Sequence, residues 1–285
     1  MTPHASATTV VTAADCRYFR TLCQMLMSVE RHHLTRTHAF TIVDLGIDAA
    51  ERRELRARFP WAEVERFPFE SYPVHVGRLA TCAWKPIALA DVLERRDGLV
   101  LWLDCATIVH GPLTSLFDRI ARDGVFTLAC QSRVDRWCHE RTLRFMDVPA
   151  EDRAKRCRFG GVVGLDAECR DARELVRHWR DLALVADCID PPGADRSNHR
   201  YDQAVLTNLL YAFERTRGLR LGPEEVDISS CNPVGWISTR NKVAPWLPLA
   251  LDPVARAGYA VYKTLDRAAL RVQRRLGEAV GRRRS

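Results

Sequence analysis

Residues Gly98–Val109 read G-L-V-L-W-L-D-C-A-T-I-V. The apolar run Leu99 to Leu103 is unbroken, starts after a glycine and ends on a carboxylate, Asp104, a pattern that predicts a strand buried on both faces. Such a strand belongs in the middle of a sheet. Ligands of open α/β sheets bind beyond the carboxyl ends of the strands, so Asp104 is delivered to the place where a ligand is expected. Taken alone, the same residue could equally cap a turn. The surrounding sequence has to decide.

The chain of 285 residues is 47% hydrophobic and 28% charged, which suits a globular protein of one large α/β domain or two small ones. Its net charge of +7 points to an anionic partner. Much of the excess lies beyond Pro253, however, so the charge describes the tail more than the body, and no nucleic-acid partner is expected. No stretch approaches the roughly 20 apolar residues of a membrane span, and no basic segment leads into an apolar signal core. The expectation is a cytoplasmic protein. The 10 cysteines are scattered singly, without C-x-x-C pairs or zinc-finger spacing, so reduced thiols are expected rather than a zinc site or a disulfide framework.

Towards the N-terminus, the β-branched run Thr8–Thr12 passes through Ala13-Ala14-Asp15 into a helical pattern from Tyr18 to Val29. Small residues in such a turn let a ring or ribose approach the backbone, which makes Thr12, Ala13 and Asp15 candidate binding residues; Asp15 would also serve as a helix N-cap. A second strand, Phe40–Val43, leads to Asp44-Leu45-Gly46 and a helix at Ala49–Arg58, and a short strand is expected at Glu63–Phe67. The stretch Phe67–Ile87 holds prolines and a glycine yet is rich in aromatic residues, the composition of a structured loop lying over something. Trp84-Lys85-Pro86 then opens a helix to about Arg95 and puts Lys85 near a helix N-terminus, a candidate phosphate contact.

Beyond the central strand, a helix is predicted at Leu113–Ile120, a buried strand at Val125–Ala129 and a partly helical insertion at Gln131–Arg158. Arg158-Phe159-Gly160-Gly161-Val162 enters a strand. There Gly160 and Gly161 imply either a tight turn or a close backbone approach to a ligand. A helix from Arg170 to about Ala186 follows, and Pro191-Pro192-Gly193 ends that unit. In Asn198-His199-Arg200-Tyr201-Asp202-Gln203, the last two residues fall in the first turn of another helix, where capping alone would account for them. Later, Arg240 and Lys242 offer charge to an anion, or belong to a solvated hairpin.

The ordered blocks V-T-A-A-D at Val11, V-D-L-G-I at Val43, F-P-F-E-S-Y-P-V-H-V at Phe67, A-W-K-P at Ala83 and L-W-L-D at Leu101 resemble the nucleotide-diphospho-sugar transferase superfamily. The closest likeness is to a poorly characterised, glycosyltransferase-like family of GT-A fold. The resemblance implies a Rossmann-like, mixed but mostly parallel sheet flanked by helices, a nucleotide-sugar donor, and a saccharide or lipid-linked acceptor of polysaccharide biosynthesis. It also implies a D-x-D motif whose carboxylates hold Mn²⁺ or Mg²⁺ against the diphosphate. Asp104 matches the first position of that motif and would be the metal ligand, whereas Ala106 stands at the second. Because such ions share substrate phosphates and keep waters, one protein carboxylate can suffice.

By the same resemblance, Asp44 and the Val11–Asp15 turn lie near the nucleoside, while Lys85, Arg240 and Lys242 balance the phosphates. Gly160 and Gly161 line the sugar and acceptor pocket, and Asp202, with Gln203, faces the acceptor. An ionised Asp202 would deprotonate the acceptor in an inverting reaction or position it in a retaining one. The alternatives are a non-catalytic sugar-nucleotide-binding scaffold, suggested by Ala106, and a nucleotidyltransferase, for which A-A-D-C-R-Y is a poor phosphate loop.

The chain is thus read as a GT-A-like domain over residues 1–250 and a tail over 251–285. In the tail, Val254, Val261, Leu265, Val272, Leu276 and Val280 recur at helical spacing among arginines and lysines. This predicts a basic amphipathic helix that either lies on the anionic inner face of a membrane, making the protein peripheral, or packs against protein.

Overall fold

The computed structural model describes residues 7–223 and 237–238. The strands are β1 (Thr8–Ala14), β2 (Ala39–Asp44), β3 (Ala62–Arg66), β4 (Leu99–Leu103), β5 (Ile108–Val109), β6 (Val125–Arg133), β7 (Arg156–Asp166) and β8 (Ile237–Ser238). The helices are α1 (Phe19–Arg31), α2 (Ala49–Arg58), α3 (Trp84–Arg95), α4 (Thr114–Asp123), α5 (Val134–Trp137), α6 (Glu140–Phe145), α7 (Ala150–Arg153), α8 (Arg170–Ala183), α9 (Ala186–Ile189) and α10 (Asp202–Arg217).

Six strands form one sheet in the order β3-β2-β1-β4-β7-β6. The first four are mutually parallel; β7 runs antiparallel to both β4 and β6. The sheet is therefore mixed but mostly parallel, as expected. Strand β1 has β2 on one side and β4 on the other, so the winding reverses between β1 and β4. The carboxyl ends of these two strands flank the crevice where α/β sheets bind ligands.

The unbroken apolar run of β4 has a direct cause in burial. Val100 and Trp102 enter the core on one face with α3, α8 and α10, while Leu99, Leu101 and Leu103 enter the other with α1 and α4. A strand covered on both sides has no polar position until it leaves the sheet, and Asp104 is the first residue beyond it.

The loop between β3 and α3 is a chain of short 3₁₀ turns at Phe69–Ser71, Val74–Gly77 and Leu79–Thr81. Phe67 stacks on Tyr72 with ring centroids 5.3 Å apart, His75 contacts the Ala183 carbonyl at 2.9 Å, and Arg78 pairs with Asp190. These contacts hold the loop down as a fixed wall. The insertion after β6 is partly helical, as expected, and consists of α5, α6 and α7.

Several boundaries differ from expectation. Strand β6 continues past Ala129 to Arg133 because its bulged pairing with β7 extends that far. Helix α8 stops at Ala183, leaving α9 as a separate turn. Gly160 and Gly161 lie well inside β7 rather than in a turn before it. The described cysteines are free thiols, and no helix among the described residues is long and apolar enough to cross a membrane. The predicted tail helix and Arg240 and Lys242 lie outside the described residues.

Candidate functional site

Two helices aim their first turns at the end of β4. Each begins after a non-glycine residue with positive φ: Cys82 at +53°, just ahead of α3, and Tyr201 at +46°, at the start of α10. Such strained positions persist where surrounding contacts over-determine them. Buried His199 supplies part of that support, since its Nδ1 accepts from the His139 amide at 3.1 Å and its Nε2 meets the Ile189 carbonyl at 3.1 Å. Burial pushes its pKa down to about 4, the Ile189 contact opposing, so the ring stays neutral with the proton on Nε2.

The turn at Cys82 carries Lys85 inward, where its side chain is 5% exposed. The ammonium donates to Asp104 Oδ1 at 3.1 Å and to the Gly160 carbonyl at 3.1 Å, and it lies 3.1 Å from Asp202 Oδ2 as an ion pair without hydrogen-bond geometry. It also sits 5.3 Å from the centroid of the Trp102 ring. Burial alone would lower the Lys85 pKa, but Asp104 and then Asp202 outweigh it and hold the amine well above the ordinary lysine range. Burial likewise pushes Asp202 up to about 6, with Lys85 pulling it down and Asp104 pushing it up.

Trp102 donates its indole N–H to Asp104 Oδ1 at 2.8 Å. Residues two apart on a strand share a face, so a tryptophan two places before the carboxylate was the available signal for this contact; reading the strand as a purely apolar run missed it. The glycines of β7 make room beneath both acids. A Cβ on Gly161 would come within 2.8 Å of Asp104 Oδ2 and 2.5 Å of the Phe159 ring, and one on Gly160 within 3.3 Å of Asp202 Oδ2. Close backbone approach is thus what these glycines provide, here to the acidic side chains. Gly161→Ala is expected to displace Asp104 and cost about 1–3 kcal/mol in urea unfolding. Gly77→Ala, with nothing within 4 Å of its Cβ, serves as the near-neutral comparison.

A cavity of about 260 Å³ opens at this end of the sheet. Its walls include Ala13, Ala14 and Asp15 after β1, Leu45 after β2, and Trp102, Asp104 and Ala106 around the end of β4. Leu79 and Cys82 of the fixed loop, Lys85, and the cations Arg17 and Arg196 also line it. Neither arginine was singled out in the sequence, where single arginines in a charged chain give no signal. Asp15 caps the turn after β1, accepting from the Tyr18 amide at 3.2 Å and from Arg17 Nε at 2.7 Å.

The other expected site residues stand back from the cavity wall. The Asp44 carboxylate is taken up by the Gly46 and Ile47 amides, at 2.9 and 2.7 Å, and by Arg52 at 2.7 Å. Thr12 is buried in the sheet. Gln203 Oε1 accepts from the Gly160 amide at 3.3 Å. Asp202 lies behind Lys85 rather than on the wall.

No protein-family model matches the chain, and neither does any curated protein. Solved structures do. The galactosyltransferase LgtC, determined with donor and acceptor sugar analogues, aligns over 89% of this chain and 95% of its own length, with a TM-score of 0.51 and 18% identity. The chain has the GT-A fold. WbbM and GlyE, also glycosyltransferases, align with lower scores. Bifunctional WbbM gives a TM-score of 0.48 at 15% identity over 78% of this chain, which spans 40% of WbbM. Apo GlyE of Streptococcus pneumoniae TIGR4 gives 0.48 at 14% identity, over 89% of this chain and 60% of GlyE.

A divalent ion of the kind implied for GT-A proteins finds a poor donor set here. Asp104 Oδ1 already takes the Trp102 indole and the Lys85 ammonium, and the side chain at position 106 is a methyl group. Asp15 is turned into its own cap, and burial pushes the Cys105 thiol far above its ordinary range. Among the described residues no group of three or more His, Cys, Asp or Glu side chains is placed to hold a metal. Among the described residues, what remains is one carboxylate oxygen beside a fixed ammonium, a donor set that does not by itself fit a resident divalent cation.

Proposed function

We propose that this chain is a glycosyltransferase that moves a sugar from a nucleotide-diphosphate sugar to a hydroxyl of a saccharide or lipid-linked acceptor. The observation that carries this reading is the Asp104–Lys85–Asp202 cluster at the carboxyl end of β4, beside the crevice between β1 and β4. In the transfer, the bond between the anomeric carbon and the diphosphate oxygen breaks. The diphosphate leaves with the electron pair, and the acceptor oxygen bonds to the carbon as its proton passes to the departing diphosphate oxygen. Catalysis of this kind depends on positioning and on stabilising charge on the leaving group.

Asp104, whose side chain is 44% exposed, faces the cavity and accepts hydrogen bonds from hydroxyls of the donor. Ala13 and Ala14 leave the backbone at the end of β1 open to the nucleoside. Lys85 fixes Asp104 in place, and Asp202, 9% exposed, acts as the positioning residue for Lys85. The tail reading extends this proposal: a basic helix on an anionic membrane would bring the enzyme to a lipid-linked acceptor.

The test is to incubate the full chain with UDP-, GDP- and CMP-sugars, with and without Mn²⁺, and to follow thermal shift and released nucleotide. Binding of a donor followed by nucleotide release supports the transferase reading. Binding without release under any acceptor would favour a sugar-nucleotide-binding scaffold.

The rate should also depend on pH through Asp202. Protonating this residue removes one of the two carboxylates that hold Lys85, so kcat/KM is expected to fall as pH drops through about 6. Asp202→Asn should lower the plateau and erase that acid limb. A limb of unchanged midpoint in the variant would assign the titration to another group.

A further inference from the structure

We propose that the chain binds the diphosphate of its donor through side-chain cations instead of a divalent metal, with Arg196 as the guanidinium that engages it; this rests on the donor reading above. The starting point is the mismatch at Asp104. A carboxylate that shares one oxygen between an indole N–H and an ammonium, with alanine two residues on, is already committed to contacts within the protein. A dianionic diphosphate entering the cavity still needs positive charge beside it.

Among the described residues, three cations line the cavity: Arg17, Lys85 and Arg196. Two are already engaged. Arg17 is paired with Asp15 at 2.7 Å, and Lys85 is held between two carboxylates. Arg196 has no carboxylate partner among the described residues. It is exposed at the cavity, near enough to Cys82 for its charge to oppose the burial that pushes that thiol up to about 12.

The neighbouring acid does not claim it. Asp195 Oδ1 is turned back into its own loop, accepting from the Ser197 amide at 2.7 Å and from the Ser197 hydroxyl at 2.5 Å. The same loop is tied by the Asn198 side chain, which donates to the Gly193 carbonyl at 3.0 Å and accepts from the Asp195 amide at 2.9 Å. A guanidinium with no carboxylate partner among the described residues, on a braced loop at a cavity wall, matches a phosphate bidentately and with little ordering cost. It would carry the charge that a metal carries when two acidic ligands are present.

The experiment is titration calorimetry of the full chain with UDP and GDP, and with uridine and guanosine as probes that lack the diphosphate, in EDTA and in Mn²⁺. The diphosphate that binds is expected to do so with an affinity that changes by less than about threefold between the two conditions. Arg196→Ala is expected to weaken it about tenfold or more, leaving nucleoside binding and the unliganded melting temperature unchanged, with Arg196→Lys recovering part of the loss. Binding that requires Mn²⁺, or Arg196→Ala binding as tightly as the parent, overturns the inference while the donor reading stands. Failure of both diphosphates to bind in either condition overturns the donor reading and the inference with it.

Discussion

Asp104→Asn is expected to reduce transfer by at least about a hundredfold while costing about 1 kcal/mol of stability or less. The two effects separate because the two oxygens of this carboxylate have different tasks. Oδ1 belongs to the fold: it accepts the Trp102 indole and the Lys85 ammonium, and the asparagine carbonyl can still accept both. Lys85 also keeps the Gly160 carbonyl and Asp202. The other oxygen belongs to the substrate, and an amide NH₂ in its place cannot accept a donor hydroxyl. Nucleotide release and urea unfolding of the same preparation decide the matter. Turnover near the parental rate, or a stability loss above about 3 kcal/mol, would remove Asp104 from the donor contact and make it a structural residue.

The second large effect is on stability. Lys85→Met keeps the unbranched stem of the side chain but leaves two carboxylates facing one another without the charge between them. Breaking a buried pair in this way costs about 3–5 kcal/mol, and donor binding should fall with it. The loss should depend on pH in a defined direction. In the parent protein Lys85 has a raised pKa, so its contribution is present throughout the neutral range and is lost only as pH rises through that raised value.

Asp202 also has a raised pKa. Its contribution is full below the ordinary aspartate range and is lost as pH rises through about 6. Without Lys85 this carboxyl moves higher still, so the variant should regain stability on acidification, over a window that begins above pH 6. Adding Asp202→Asn to Lys85→Met should restore part of the loss at neutral pH, the coupling expected of residues in contact. A destabilisation independent of pH and unrelieved by the second substitution would mean that packing, not charge, sets the cost.

These expectations also recast Lys85. Beside a tryptophan at a helix start, it reads as a surface lysine free to touch phosphate; folded, it is committed to Asp104, Asp202 and Gly160. No local signal carries that information, because the partners lie 19, 117 and 75 positions away in the chain and meet only when α3, β4, β7 and α10 are assembled. Asp44 illustrates the same limit on a smaller scale. Its place at the end of β2 is legible from the pattern, but its use in bracing Gly46, Ile47 and Arg52 is visible only in three dimensions.

What the sequence determined by itself was the central place of β4 in the sheet and the ligand end of that strand. Strand and helix periodicities are local properties, and a strand buried on both faces can hold few polar residues, so the apolar run and its terminal Asp104 identify the central strand and the ligand end together. Likewise, Ala106 marks the departure from a two-carboxylate metal motif without any coordinates. Only the tertiary structure decided the division of labour: Asp104 on the cavity wall, Asp202 behind Lys85, the glycines of β7 beneath the acids, and Arg196 facing the cavity. The physical reason is that burial, ion pairing and the resulting pKa shifts depend on distances between segments remote in the chain, and residue types along a strand or helix do not encode those distances.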